Sequence, residues 1–273
     1  MLEVGHGTRR QLKRIAIKLG MLGVLREGRD LLRAAAARSR NAPYRRSGAP
    51  DGLPLPPTRW ILAVAGEPDV AWFLESGRQA AASIRTTLER SGVDVHQLRR
   101  ILDFGCGCGR VIRQWKDFAA EVHGTDVNPR LVDWCRRHLE FARFEENGLS
   151  PPLPYAAGTF DLVYALSVFT HLPEELQLAW MAELRRALET GGHLILTTHG
   201  RRYLADLTPE ERGRFESGEI VAKSDLPGTN ACGAYHPERY VRETLAAGFA
   251  VVDFEPEGAR GNPYQDLYLF RKV

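Results

Sequence analysis

The sequence predicts an α/β protein: a largely parallel sheet with helices on both faces. Two patterns carry that reading. From Ile101 onward, short apolar runs alternate with stretches whose apolar residues recur every three or four positions. Strands separated by helices pair side by side in one direction. Between the first such run and the segment after it lies Gly105-Cys106-Gly107-Cys108-Gly109, a glycine cluster at an expected strand–helix junction. Composition agrees. With 273 residues, 44% hydrophobic and 26% charged, the chain can bury a sizeable core, as one large domain with an appendage or as two small domains. Disorder, collagen-like repeats and a disulfide scaffold are excluded.

The N-terminal segment differs in charge from the rest. Residues 1–46 hold 12 Lys/Arg against 3 Asp/Glu, and the remainder 25 against 31. Residues 1–40 read as a basic amphipathic helical arm. Leu12, Ile15, Leu19 and Leu22 form one stripe, and Arg10, Arg14 and Lys18 lie on another side. Such an arm fits docking on the body or on a partner, rest on an anionic membrane surface, or, ranked last, contact with nucleic acid. The apolar run Ile15 to Leu25 mimics a signal peptide, but Lys18 within it and Arg26 to Asp30 after it argue against export. No run reaches the ~20 apolar residues that span a bilayer. Four cysteines without C-x-x-C spacing suit a reducing cytoplasm and no structural zinc. The expected location is cytoplasmic, at most peripheral to a membrane.

Residues 41–67 read as a Pro-rich linker, since Pro43, Pro50, Pro54, Pro56 and Pro57 disfavour a helix or a central strand. Residues 68–273 form the main domain. Its first helix runs from Pro68 to about Arg90, with Phe73, Gly77, Ala81, Ile84 and Leu88 on one stripe, and stops at Ser91-Gly92. Strand one is Ile101 to Phe104, followed by a helix from Val111 to about Ala120. Strand two is Glu121 to Val127. Asn128-Pro129 then opens a helix, Asn as cap and Pro where no N–H is needed. Phe141 to Phe144 and Phe160 to Val168 are strands three and four. A helix from Pro173 leads to strand five, His193 to Thr198. Thr208-Pro209-Glu210-Glu211 has capping-box spacing. Residues 213–235 read as irregular, within a substrate-covering insertion at about 201–235. A last helix, His236 to Ala247, precedes two closing strands, Phe249 to Phe254 and Gln265 to Arg271.

The glycine cluster is G-x-G-x-G preceded by Asp103. A dinucleotide fingerprint would need glycine where Arg110 stands, and a phosphate-binding P-loop would need G-K-[ST]. A carboxylate beside the loop repels a pyrophosphate but pairs with the ammonium of a methionine moiety. Asp126 ends the next strand, where a carboxylate accepts both hydroxyls of an adenosine ribose. This charge logic favours S-adenosylmethionine over NAD.

With these residues in view, the chain from about Pro68 to Val273 resembles the class I S-adenosylmethionine-dependent methyltransferases. The resemblance rests on Ile101-Leu-Asp-Phe-Gly-Cys-Gly-Cys-Gly109, Gly124-Thr-Asp-Val-Asn128, Pro152-Leu-Pro-Tyr155, Phe160-Asp-Leu-Val-Tyr164 and Ser167-Val-Phe-Thr-His-Leu172. It implies a Rossmann-like seven-stranded, mostly parallel sheet of order 3-2-1-4-5-7-6 with the last strand antiparallel. It also implies that Asp103, Gly105, Cys106, Gly107 and Gly109 line the methionine part, Asp126 holds the ribose, and Asn128 flanks the adenine. Asn147 occupies the place where many relatives bind the adenine amino group through an acid, and Ser167 closes the pocket. S-adenosylhomocysteine would be the product. Ser150-Pro151-Pro152-Leu153 looks like the S-P-P-[YF] motif of nucleic-acid amino methylation, but it precedes strand four and carries Leu where the aromatic belongs.

Methyl transfer from a sulfonium is an in-line displacement, which needs a base only where the acceptor must lose a proton. His171, just past strand four, is the first candidate base. Packing at the helix entrance or a part in cofactor binding are the other readings. His199 is the second candidate, and His236 reads as a helix cap. His6, His96, His123, His138 and His193 read as surface or strand-end residues. Ser167, Thr198 and His199 stand where a metal-dependent type would place carboxylates, so no metal is expected. Cys106 and Cys108 read as small residues allowing close packing. The acceptor is expected to meet Arg201 to Tyr235 and Asn41 to Trp72. It is read as a small-molecule or sugar/glycoconjugate hydroxyl, oxygen ahead of nitrogen. A nucleic-acid or protein methyltransferase guided by the arm, and a non-catalytic nucleotide-binding module, stand as alternatives.

Overall fold

A computed structural model describes residues 22–224, 232–261 and 264–273. The chain divides into two compact units, Met1–Phe73 and Leu74–Val273. The arm's first stripe, Leu12 to Leu19, lies outside the described residues.

The first unit is helical: α1 (Leu22–Ala36), α2 (Arg38–Ser47), α3 (Thr58–Ala65) and the start of α4 (Val70–Arg90). Here the structure corrects the linker reading, because α2 runs straight through Pro43. Proline removes one helical hydrogen bond, and side-chain ties from the same helix offset that loss. Buried Asn41 donates through Nδ2 to Pro68 O (2.8 Å) and accepts at Oδ1 from Val70 N–H (2.9 Å). Arg40 meets Asp69 at 3.1 Å, and Arg45 donates to Thr58 Oγ1 at 2.6 Å. The other four prolines fall between α2 and α3, in chain without regular structure.

The second unit holds β1 (Arg100–Phe104), β2 (Glu121–Asp126), β3 (Ala142–Glu146), β4 (Phe160–Ala165), β5 (Leu188–Thr198), β8 (Phe249–Glu255) and β9 (Asp266–Lys272) in one sheet. Their order is β3-β2-β1-β4-β5-β9-β8. Only β9 is antiparallel to its neighbours, so the expected order 3-2-1-4-5-7-6 holds. Central strands are buried on both faces: Ile101, Leu102 and Phe104 in β1, and Leu162 to Ala165 in β4, are almost wholly enclosed. Helix α5 (Pro129–His138) begins as the sequence predicts, Asn128 Oδ1 accepting from Arg130 N–H with Pro129 first in the helix. Helix α6 (Glu174–Ala187) covers one face with Trp180, Met181 and Leu184. Thr208 and Glu211 form the expected capping box on α7 (Pro209–Glu216).

Three expectations fail locally. After the glycine loop there is no α-helix, only a single 3-10 turn at Ile112–Trp115. Val111, Ile112, Trp115 and Phe118 are mediocre helix formers, and Arg113 and Trp115 turn into the interior at 1% and 0% exposure. Residues 213–235 are not irregular throughout: beyond the end of α7, β6 (Val221–Ser224) and β7 (Cys232–Tyr235) pair as a small antiparallel sheet. The last helix is one α-turn, α8 (Glu238–Tyr240), continued by a π-helical Val241–Leu245. No helix among the described residues is long and apolar enough to cross a membrane.

Asn41→Ala removes two buried hydrogen bonds and leaves the Val70 N–H and the Pro68 carbonyl without partners. We expect a loss of about 1–3 kcal/mol in urea denaturation; an unchanged midpoint would show that the first unit does not rely on this clasp.

Candidate active site

Chain leaving β1 must reverse at once, and the neighbouring strand provides the partners. Gly105 N–H and Cys106 N–H both donate to Thr125 O at 2.8 and 2.9 Å. Gly105, Gly107 and Gly109 have φ of 83°, 56° and 85°, a region that side chains rarely adopt. A Cβ on Gly105 would also run into the Val168 side chain. Asp126 closes the bend: Oδ2 accepts from Gly107 N–H (2.9 Å) and Oδ1 from Asn128 N–H (2.8 Å). Burial raises its pKa, and these backbone donors pull against the rise. Each carboxylate oxygen keeps a lone pair after these bonds, so Asp126 can still accept two hydroxyls.

Cys106 and Cys108 are buried. A hydrogen bond with Cys135 and then burial push the Cys106 thiol up, and burial does the same for Cys108. Thiols held neutral in this way pack and do not attack.

Asp103 lies in β1 opposite Gly124 and Tyr164, at 4% exposure. Trp115 Nε1–H donates to the Tyr164 hydroxyl (3.1 Å), and that hydroxyl hydrogen-bonds Asp103. Oδ2 of Asp103 has no partner among the described residues. Burial pushes this carboxyl up to about 7, against the pull of Tyr164 and of the Arg110 guanidinium. Arg110, met in sequence only as a missing glycine, is thus a charge partner of Asp103. It also donates to Gly261 O at 3.2 Å. Helix α4 passes so close that a Cβ on Gly77 would collide with Arg110 O.

Asn147, at the end of β3, is 8% exposed. Its Nδ2 donates to Gly148 O (2.8 Å), and its Oδ1 is buried without a partner. Asn128 is exposed, its side chain engaged as the α5 cap. Leu153 lies in the core at 3% exposure, away from the place of a base-stacking aromatic. Ser167 has φ 61°, held by its N–H to Thr197 Oγ1 (2.7 Å) and by Gln265 Nε2 donating to its Oγ (2.8 Å). Thr197 Oγ1 donates to Gln265 Oε1 at 2.7 Å, which closes a ring of three side chains. Thr197 and Gln265 were invisible in sequence, because their partners lie far away along the chain.

Beyond Ser167 stand two imidazoles. His171 Nδ1 lies 3.0 Å from Cys232 O, and burial lowers the His171 pKa. His199 is 6.5 Å from His171, ring to ring and nearly perpendicular; burial takes it down to about 4. His236 does not cap a helix: fully buried, its Nε2–H donates to Gln177 Oε1 (2.8 Å), and Gln177 in turn holds Phe169 O and Leu172 O. His123 is not a surface residue either, lying at 6% exposure among Tyr155 and Phe160. Among the described residues, no three His, Cys, Asp or Glu side chains converge as metal ligands.

The sheet order and the glycine bend agree with the resemblance to the class I S-adenosylmethionine-dependent methyltransferases. Residues 102–196 match the family model described as "Methyltransferase domain". A malonyl-[acyl-carrier protein] O-methyltransferase of Enterobacter lignolyticus is 34% identical over 113 residues, 41% of this chain and 42% of that protein. A ubiquinone biosynthesis O-methyltransferase of Cereibacter sphaeroides is 32% identical over 105 residues, 37% and 42%. The matches span less than half the length of these curated relatives. In fold, the chain is similar to the magnesium protoporphyrin IX methyltransferase of Synechocystis solved with bound SAH, at TM-score 0.52 and 19% identity over 74% of this chain and 86% of that one. It is also similar to a 1,6-didemethyltoxoflavin-N1-methyltransferase of Burkholderia thailandensis, at TM-score 0.51 and 19% identity over 73% and 79%.

Folded Asp103 keeps its proton up to about pH 7, whereas an unfolded aspartate loses it near ~3.9. Between those values the folded state binds the extra proton, so this group's contribution to stability falls as pH rises and levels off above about 7. Asp103→Asn has no such titration. Its stability relative to the parent, measured by urea denaturation from roughly pH 5 to 8, is expected to improve up to about pH 7 and then level off; a constant difference would refute the buried proton.

Proposed function

We propose that this protein transfers a methyl group from S-adenosylmethionine to a hydroxyl of a small molecule. The observation that carries the reading is the set of acceptors around the glycine bend. Asp103 Oδ2 and Asn147 Oδ1 are buried without partners, and Asp126 has lone pairs to spare. Buried acceptors of this kind cost free energy until a donor arrives. Their chemistry suits an ammonium at Asp103, two ribose hydroxyls at Asp126 and an exocyclic amine at Asn147. When bound, S-adenosylmethionine supplies the electrophilic methyl.

The chain's own part is then to orient and to take a proton. Ser167, fixed by Thr197 and Gln265, shapes the wall between the glycine bend and the two imidazoles. His171 Nδ1 faces a carbonyl, so it carries the hydrogen, and Nε2 keeps the lone pair that can accept the acceptor's proton. His171 is the base of this reading and His199 its neighbour. The named O-methyltransferase relatives support oxygen as the acceptor atom. A sugar or glycoconjugate hydroxyl is one member of that class.

The arm is proposed to rest on an anionic lipid surface. In α1, Leu31 and Leu32 are 68% and 74% exposed, while Arg33 turns toward Gly66 O and Glu67 (3.0 and 2.9 Å). An amphipathic helix with its apolar face outward amid arginines suits such a surface.

Calorimetry with S-adenosylmethionine and then NAD tests the cofactor: binding of the first and not the second is expected, and the reverse would overturn the reading. Asp126→Ala should weaken S-adenosylmethionine by about 1–3 kcal/mol. His171→Ala should cut turnover about 10²–10⁴-fold with cofactor affinity little changed; a loss of affinity would reassign it. Cosedimentation with phosphatidylglycerol vesicles should fall on Leu31→Ser/Leu32→Ser and be absent with phosphatidylcholine. Equal binding to both lipids would remove the electrostatic part.

A further inference from the structure

We infer that the Cys232 carbonyl of β7 and the Gln265 amide fix the tautomers of His171 and His199, and that the site they build takes a flat ring bearing an acidic hydroxyl, a phenol or an enol. This rests on the methyltransferase reading above and narrows its acceptor.

The geometry begins with strand alternation. In β7, the carbonyls of Cys232 and Ala234 are two residues apart and so leave the strand on the same side. His171 meets the first, and His199 lies near the second without a full hydrogen bond. His171 Nδ1 is 3.0 Å from Cys232 O; a carbonyl only accepts, so this nitrogen carries hydrogen and Nε2 is the open acceptor. Ala234 O favours the protonated ring of His199, in a looser contact that falls short of a full hydrogen bond at Nδ1. A second donor sets the same tautomer from the other end. Gln265 Nε2 lies 3.4 Å from His199 Nε2, and its amide is already oriented by Thr197 and Ser167. Nε2 of His199 therefore accepts, and Nδ1 bears the hydrogen. Main-chain ties hold the two elements together: His199 bridges Tyr235 in parallel, and His236 N–H donates to His199 O at 2.8 Å.

The same hairpin gives the ring its surface. Tyr203 lies 4.0 Å from His199, centroid to centroid and tilted by 33°, and Tyr235 lies 5.6 Å from His199 and 6.4 Å from Tyr203. Tyr203 and Tyr235 are both part-exposed. Such a patch offers offset or edge contacts to a planar group. Lys223 sits over Tyr235 at 5.3 Å.

Proton balance points to the acidity of the hydroxyl. The acceptor O–H breaks, its proton passes to His171 Nε2, the oxygen forms a bond to the methyl carbon of S-adenosylmethionine, and the S–C pair returns to sulfur. Among the described residues, the two rings face each other, His236, Tyr203, Tyr235 and Gln265, with Lys223 beyond Tyr235 and the carboxylates of Asp206, Glu211, Glu257 and Asp266 near the two tyrosines. No carboxylate among these raises the imidazoles. Burial lowers both, which makes them weak bases. A phenol, near ~10, gives its proton to such a base more readily than an aliphatic alcohol, near the ~15.7 of water.

The test uses the full chain with ¹⁵N-labelled histidine. S-adenosylhomocysteine is titrated first; absence of binding removes the methyltransferase reading itself. In the saturated protein, two-bond ¹⁵N–¹H spectra should show Nδ1–H on both His171 and His199, assigned by His171→Gln and His199→Gln. Then 4-nitrophenol should shift the His171, Tyr203 and Tyr235 resonances, and cyclohexanol at equal concentration should not. Nε2–H on either ring, equal shifts from cyclohexanol, or 4-nitrophenol perturbing none of the three residues overturns this inference and leaves cofactor binding standing.

Discussion

A chain that ends a central strand must turn within a few residues while its backbone amides stay paired. In this protein the next strand answers that demand. Thr125 O takes the N–H of Gly105 and of Cys106, and the Asp126 carboxylate takes the N–H of Gly107 and of Asn128. One acidic side chain thereby joins the glycine bend, the end of β2 and the entry to α5. The ligand crevice of a parallel sheet opens at this edge, so everything proposed about the cofactor depends on the same few hydrogen bonds.

Around that bend the protein keeps polar groups in places where they destabilise it. Asp103 is enclosed with one oxygen unpartnered, and Asn147 likewise. The aromatic chain Trp115–Tyr164 and the Arg110 guanidinium offset part of the burden at Asp103 without removing it. Sites that must receive a donor are built in this way, stability given up locally for recognition. The missing helix after the loop belongs to the same account. Arg113 and Trp115 go inward, and only a 3-10 turn is left after the bend.

On the far side, four separate strands meet. Ser167 follows β4, Thr197 and His199 close β5, Gln265 leads into β9, and β7 sets the Cys232 carbonyl against His171. Because β9 runs antiparallel between β5 and β8, its N-terminal end reaches the same edge as the C-terminal ends of β4 and β5. That single reversal brings Gln265 within reach of Ser167 and Thr197. The antiparallel strand thus places a hydrogen-bonding amide in the site.

Local chemistry made much of this legible from residues alone. Periodicity marked the strands, Asn128-Pro129 and Thr208-Pro209 marked two helix starts, and G-x-G-x-G marked the tight bend after β1, since each signal lies within a few positions of its effect. Proline arithmetic misled at Pro43, where ties from Asn41, Arg40 and Arg45 outweigh one lost hydrogen bond. Propensity overstated the helix after Gly109, where interior packing claimed Arg113 and Trp115. Buried His123 and His236, the Ser167–Thr197–Gln265 ring and the Arg110–Asp103 pairing left no trace in the sequence. Their partners are far off along the chain, and only the folded sheet sets them side by side.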